Sequence, residues 1–197
     1  MKDSATTNKA LDVSLNSTAF ERLIEAVFLS ELQQEMWFSR NTVIDILHST
    51  VDAFGYDLVL IHKNTARYVQ LKTREIDAST RDWSISRNLE NLPGSCVIII
   101  FYKVNQAEQR LELVEFQWLG GNTNDPLPWL GDRSAKHARA NAEGVKGERR
   151  AHAKVGLAKF EKITTIETLA DRLFDHIKEG GQQSESMFSG APLAVSQ

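Results

Sequence analysis

Short stretches of alternating or continuous hydrophobic residues recur along the chain and predict five β-strands. These stretches are rich in β-branched and aromatic residues, which pack well on a pleated surface. They cover residues 43–49, 58–61, 68–73, 96–102 and 111–118. The apolar run at 96–102 is far shorter than a bilayer span, so it indicates a buried strand and no membrane segment.

A helix is predicted before the first strand. Thr18 and Glu21 have the spacing of a capping box, in which Ser17 or Thr18 caps the helix start. Apolar residues then recur at helical spacing and predict a helix that runs to about Arg40. The apolar stripe consists of Phe20, Leu23, Ile24, Val27, Phe28 and Phe38.

Two weaker helical segments follow. Residues 80–92 have some helical character and end before Pro93 and Gly94, which are natural stop signals. Between residues 163 and 177 apolar side chains return at helical spacing and predict a last amphipathic helix. Its apolar positions are Ile166, Leu169, Leu173, Phe174 and Ile177. The order of helices and strands indicates an α/β or α+β fold.

Three polar residues on or beside two of the strands are candidates for one functional site: the acid Asp57, the amide Gln70 and the amine Lys72. Strand alternation puts Gln70 and Lys72 on one face, and the short polar gap at residues 62–65 allows a hairpin that brings Asp57 beside them. The set predicts a divalent-metal site, to which Asp52 could add a ligand or hold a bound water. Alternatively, Gln70 and Lys72 are ordinary residues of an exposed strand face.

Glu31 lies within the apolar stripe of the first helix. A core-facing carboxylate is costly unless it is paired or binds a metal, so Glu31 is a further candidate for the site. Alternatively, the end of the helix tilts away, and Glu31 is solvated or pairs with an arginine. Glu25, at the edge of the stripe, is the second candidate.

The residues around Asp57, Gln70 and Lys72 resemble the core motif of the PD-(D/E)XK nuclease superfamily, which has the restriction-endonuclease-like fold. In that family an acid on one strand and Glu-x-Lys on the next bind Mg²⁺ and activate water against a phosphodiester. Asp57 matches the acid and Lys72 the lysine, whereas Gln70 stands where the family has Glu or Asp. The resemblance covers roughly the first half of the chain.

The resemblance implies an αβββαβ core with a mixed sheet flanked by helices. It also implies a bound Mg²⁺, for which Mn²⁺ can substitute, with Asp57 as the central ligand and the Gln70 carbonyl as a weaker one. Lys72 would orient or deprotonate the attacking water, and an acid of the first helix, Glu31, would lie near the metal.

Charge is unevenly distributed along the chain. The formal net charge is −3, yet residues 133–154 carry a net charge of roughly +5. This segment is predicted to be a loop that contacts phosphates through its cations, unless it is simply a solvated basic loop. The candidates are Arg133, Lys136, Arg139, Lys146, Arg149 and Arg150. Arg87 and Asn88, on the predicted crossing helix, are further candidates for phosphate or base contacts, or are plain surface residues.

Length and composition suit one globular domain. The chain has 197 residues, of which 42% are hydrophobic and 25% charged. Cys96 is the only cysteine, so no intramolecular disulfide can form and Cys96 is predicted to be a core residue. No charged-then-apolar leader opens the chain, so a cytoplasmic location is expected.

These observations predict a flexible arm at residues 1–16, a single nuclease-like domain at 17–178 and a disordered Gly/Ser/Gln-rich tail at 179–197. The predicted function is a Mg²⁺-dependent DNA endonuclease in a restriction, repair or mobile-element and defence context. The alternative is a catalytically degenerate nuclease fold that acts as a nucleic-acid-binding or partner-interaction module. A homodimer or a partner subunit is possible in either case.

Overall fold

Two β-sheets and two α-helices make up the part of the chain that the computed structural model describes, residues 16–51, 53–136 and 148–175. The first sheet has six strands in the order β1-β2-β3-β5-β6-β9, and the second has three in the order β4-β8-β7. The strands are β1 Asp45–His48, β2 Leu58–His62, β3 Thr65–Glu75, β4 Asp82–Ser86, β5 Ser95–Asn105, β6 Arg110–Gly120, β7 Ser134–Lys136, β8 Glu148–Gly156 and β9 Glu161–Ile163. Residues 1–15 of the predicted arm, the predicted tail, Asp52, Arg139 and Lys146 lie outside the described residues.

The first sheet is mixed. β1, β2 and β3 are antiparallel neighbours, and β2 and β3 form the predicted hairpin. β3 then pairs in parallel with β5, which is antiparallel to β6, and β6 is antiparallel to β9. All five predicted strands are therefore present, and the fold is of the α+β class.

The predicted crossing helix at residues 80–92 is wrong. The connection from β3 to β5 consists of β4 and a short 3₁₀-helix, Arg87–Asn91. Trp83 and Ile85 are buried and alternate with the more polar Ser84, which is the period of a strand and not of a helix. The Ser86 side chain accepts a hydrogen bond from the backbone of Asn88 and so caps the 3₁₀-helix.

The predicted basic loop at residues 133–154 is also corrected, because β7 and most of β8 fall within it. Ala153 and Val155 are buried between the sheets, while Lys154 between them is exposed. The hydrophobic alternation of these strands is weak in the sequence, because alanines occupy core positions and cations occupy the outer ones. The cations of this segment are therefore carried in part by an ordered sheet.

Both helices cover one face of the first sheet. α1, Ser17–Gln34, continues into a π-helical turn, Glu35–Ser39, and α2 is Ile166–Phe174. The buried stripe of α1 consists of Ile24, Phe28, Leu29 and Leu32. Phe38, predicted to belong to this stripe, is instead 78% exposed, because the π-turn rotates the end of the helix away from the core.

An ion-pair network joins the two helices. The Arg40 guanidinium lies 2.8 Å from the Glu35 carboxylate and 2.6 Å from that of Asp171 on α2. Arg40 and Glu35 are both largely buried, so removing one partner would leave a buried charge uncompensated. The opposite face of the first sheet packs against the second sheet through a second apolar cluster that includes Trp83, Ile99 and Val155.

The helices found within the described residues are too short or too polar to cross a membrane.

His62 makes the stability of the fold depend on pH. Its ring is buried against Phe174 and its Nε2 lies 3.1 Å from the Thr42 hydroxyl. Burial lowers the pKa of His62, and the charges of Lys63 and Arg40 act in the same direction. Neutral His62 therefore contributes stability above its unfolded pKa of about 6.5, and this contribution is lost as pH falls toward the folded value.

We expect the free energy of unfolding to fall more steeply below pH 6.5 in the wild type than in His62→Gln, which keeps a polar group near Thr42 but does not titrate. Urea unfolding at several pH values between 5 and 8 measures the difference. Parallel pH dependence in the two proteins would assign the effect to other groups.

Candidate functional site

A cleft of about 760 Å³ opens beside β3, next to the part of β3 that has no β2 partner. β2 begins at Leu58, which pairs with Val69, whereas β3 continues to Glu75 with β5 on its other side. The missing length of β2 leaves a notch in the sheet. The N-terminal half of α1 and the segment after β1 form the remaining walls.

Asp57 is fixed at the edge of this notch. Its Oδ2 accepts a hydrogen bond from the backbone N–H of Leu71 at 2.7 Å. The Asp57 carboxylate thus takes the place of the backbone carbonyl that β2 would supply if it extended this far. Its own backbone N–H donates to the Val69 carbonyl, and its carbonyl accepts from Ser49. Asp57 is exposed and lines the cleft, so the Leu71 N–H holds a carboxylate in a set position there.

Lys72 lines the same cleft. The structure thus brings together Asp57 and Lys72, two of the residues predicted from strand alternation. The Lys72 side chain is half-buried, and among the residues that the structure describes its ammonium has no hydrogen-bond or ion-pair partner. An ammonium with three donors and no protein acceptor is available to an anionic ligand.

Gln70 does not line the cleft. It is 4% exposed, and its Oε1 accepts a hydrogen bond from the backbone N–H of Ser86 at 3.3 Å. Gln70 therefore reaches toward the second sheet, on the face of β3 that the helices do not cover. This contact was not predictable, since Ser86 lies at the end of β4, in the segment expected to be a helix.

The acids that α1 brings to the cleft are Glu21 and Glu25. Glu31, the predicted one, lies further along the helix and is not among the lining residues; its side chain is half-buried, and burial raises its pKa. Glu25 Oε1 is 2.9 Å from His48 Nε2 at the end of β1. The structure therefore places the second candidate, Glu25, at the cleft in place of Glu31.

Asp57 offers the cleft a carboxylate oxygen, which is the type of ligand that Mg²⁺ takes in proteins. This ion usually takes only one or two protein carboxylates and completes its shell with water and substrate phosphate. Asp57 would be the principal ligand, with Glu21 and Glu25 adding negative charge to the cleft. Within residues 16–51, 53–136 and 148–175, no group of three or more His, Cys, Asp or Glu side chains is arranged to hold a metal.

Two predicted nucleic-acid contacts have structural partners. Arg87 donates to the Gly131 carbonyl at 2.6 Å and lies 3.4 Å from Glu90, so it holds the loop at residue 131 in place. Asn88 donates its side-chain amide to the Ala53 carbonyl at 3.0 Å. Asn88 thereby anchors the loop that leads into Asp57.

The described cations of the basic segment lie on and around the second sheet. Arg133 and Lys154 both approach Asp82, at 3.4 and 3.3 Å. Arg149 lies 3.4 Å from the His152 ring, while Arg150 and Lys136 are exposed on β8 and β7. Asp82 thus balances part of the positive charge that was predicted to contact phosphates.

Sequence reasoning missed Arg22 and His48, which line the cleft with Glu25. One signal was available: Arg22 and Glu25 are three residues apart and so lie on one side of a helix. No signal indicated which end of α1 crosses the sheet near Asp57, and the pairing of Glu25 with His48 depends on that placement. No protein-family model matches the chain, and no match was found among curated proteins.

Proposed function

We propose that the protein is a Mg²⁺-dependent nuclease of the PD-(D/E)XK type that acts on DNA. The observation that carries the proposal is that Asp57 and Lys72 line one cleft at the point where β2 ends and β3 continues. The order of α1, the antiparallel β1, β2 and β3, and the parallel β5 also agrees with an αβββαβ core. The chain differs in having β4 and a 3₁₀-helix where that core has its second helix.

Each residue of the cleft has a distinct task in this proposal. When bound, Mg²⁺ would supply charge neutralisation on the phosphate and a water of lowered pKa. Asp57 would hold the ion through a carboxylate that the Leu71 N–H keeps in place. Lys72 donates to a phosphate oxygen or to the attacking water and stabilises the negative charge that develops during attack. Glu25 adds negative charge to the cleft that would hold the ion, and His48 orients Glu25.

A second candidate function is a binding module that retains the fold without cleaving. The observation that favours it is the engagement of Gln70, whose Oε1 accepts from Ser86 and does not line the cleft. With Gln70 held there, Asp57 is the only member of the predicted strand motif that offers the cleft an oxygen ligand. Metal binding therefore separates the two functions.

We expect Mn²⁺ to bind the wild type and to bind Asp57→Asn at least about tenfold more weakly, since even residues that only support a ligand are worth that much. Asparagine can still accept from the Leu71 N–H, so the notch is preserved. Asp45→Asn is the matched control, because Asp45 is an exposed acid at the far end of β1 that also accepts from a backbone N–H. Isothermal calorimetry measures all three proteins.

Gln70→Glu completes this experiment. A carboxylate can accept the Ser86 N–H, but its charge is costly to bury at this position, so it gains by turning to an ion in the cleft; Mn²⁺ affinity should therefore be preserved or raised. If the wild type binds no Mn²⁺ but Gln70→Glu does, the natural protein is a degenerate nuclease and the binding-module function replaces the enzyme. Equal affinity of wild type and Asp57→Asn would remove the metal site from this cleft.

A further inference from the structure

An aromatic stack with one exposed ring lies beside the cleft. The Phe54 ring lies 6.2 Å from the Tyr56 ring with the two planes inclined by only 17°. Tyr56 in turn meets Tyr68 at 5.2 Å in an edge-on contact, and Tyr56 lines the cleft. The three rings thus form a row that begins on β3 and ends at Phe54, which is 57% exposed.

The loop that carries Phe54 is held from two sides. Gly55 adopts a φ of +82°, and a Cβ at this position would lie 2.2 Å from the Ser86 Cβ, so only glycine fits against β4. Asn88 donates to the Ala53 carbonyl on the other side of Phe54. Phe54 is therefore presented to solvent by a constrained backbone, although exposure forgoes the free energy of burying its ring.

We infer that Phe54 and Tyr56 form a stacking platform for an unpaired nucleobase, and that the nucleic acid bound here is single-stranded at the cleft. This inference rests on the proposed function. Aromatic rings stack on bases of single strands, whereas the bases of a duplex already stack on one another and hide their faces. Asp57 follows Tyr56 directly, so a base on the platform brings its backbone phosphate toward the cleft. Arg22 and Lys72 supply positive charge there, beside the acidic residues that would hold the ion.

The other strongly exposed aromatic residues lack this arrangement. Trp129 is covered by the Lys159 ammonium, which lies 5.3 Å from its ring. Trp37 and Phe38 lie on the π-turn after α1, where no other aromatic ring among the described residues stacks on them. Phe54 alone of these combines a stacked neighbour with a position beside the cleft, and Phe38 serves as a matched control.

The test is equilibrium binding of a fluorescent single-stranded oligonucleotide and of its duplex, in EDTA so that no cleavage occurs. Phe54→Ala should weaken single-strand binding by roughly 5- to 150-fold, the range found for stacking of one base. Duplex binding should be unchanged. Phe54→Trp should retain the affinity and Phe54→Leu should lose most of it, because leucine keeps the apolar surface but has no π-face. Phe38→Ala should match the wild type.

A 2-aminopurine base in the oligonucleotide reports stacking directly. Its fluorescence should be quenched by the wild type and recover in Phe54→Ala. The inference is overturned if wild type does not bind the single strand more tightly than the duplex, if Phe54→Ala weakens both equally, or if Phe38→Ala has the same effect. An apolar protein partner at Phe54 would give the first of these results.

Failure of the inference and failure of the nuclease proposal have different signatures. If DNA is cut and Phe54→Ala binds and cuts single strands like the wild type, the nuclease stands and the platform does not. If no DNA is cut but Phe54→Ala loses single-strand binding and the quenching, the stacking platform is retained and the protein is a binding module.

Discussion

Lys72→Ala is expected to lower DNA cleavage by about 10²- to 10⁴-fold, the usual contribution of one proton-transfer group, while Mn²⁺ binding stays unchanged. Lys72 is half-buried in the cleft with Asp57, and among the described residues its ammonium has no protein partner. Its removal therefore breaks no ion pair among the described residues and takes a hydrogen-bond donor away from the cleft. Nicking of single-stranded, duplex and branched DNA in Mn²⁺ measures the loss, with calorimetry on the same samples.

Lys63→Ala is the control, since Lys63 is an exposed cation in the turn between β2 and β3, at the end of the hairpin away from the notch. It should cut DNA at the wild-type rate. Lys72→Arg keeps the charge but changes its shape, so intermediate activity would indicate a role for the charge on the phosphate. Cleavage by Lys72→Ala at the wild-type rate would end the nuclease proposal, and loss of Mn²⁺ binding in this variant would show that Lys72 supports the metal site instead.

The strands of the first sheet were predictable because burial in the core dominates the choice of residues in them. In β5, every residue from Ser95 to Phe101 is buried, on one face of the sheet or the other, and the continuous apolar run reflects burial on both faces. In α1, a stripe of 3.6-residue period predicted the helix, but the predicted cap is wrong, because the N-cap is Asn16 and both Ser17 and Thr18 lie within the first turn. Local preference and tertiary burial point in the same direction in these elements.

The second sheet was not predictable because its strands bury few large apolar side chains. β4 contributes Trp83 and Ile85, and β8 contributes Ala153 and Val155, with polar residues between them. Such short alternation next to Arg87 and Pro93 can be read as helix or loop until a partner strand is known. The pairing of β4 with β8 joins residues about seventy positions apart, which no local pattern reports.

In the candidate site, too, residues placed by local pattern were predictable and residues placed by tertiary contacts were not. Alternation and a short hairpin were enough to bring Asp57 to the part of β3 that carries Lys72. The position of Gln70 depends on Ser86 of the second sheet, and the choice between Glu25 and Glu31 depends on where α1 crosses the sheet. The helical wheel identifies the buried side of a helix, but it does not say which turn lies beside a given strand.

The largest expected effect on stability comes from Arg67, which is 0% exposed on β3. Its guanidinium donates to the Asn122 carbonyl at 2.7 Å and to that of Gly121 at 3.3 Å, and it lies 5.2 Å from the Trp118 ring. It also neighbours Cys96; burial raises the pKa of that thiol to about 11, and the Arg67 charge only partly offsets this effect. Cys96 is therefore the core residue that was predicted. No carboxylate among the described residues forms an ion pair with Arg67.

Arg67→Ala should reduce the free energy of unfolding by about 3–5 kcal/mol, as for other large side chains deleted from a core. Arg67→Met keeps the long apolar stem without a buried charge, so it should lose less than Arg67→Ala, although the two carbonyls lose their donor. Arg81→Ala, at an exposed arginine before β4, should stay within about 0.5 kcal/mol of the wild type. Urea unfolding with a constant m-value measures all three. If Arg67→Met lost as much as Arg67→Ala, the hydrogen bonds to the loop at residues 121 and 122, and not the packing of the stem, would be the main source of its stabilisation.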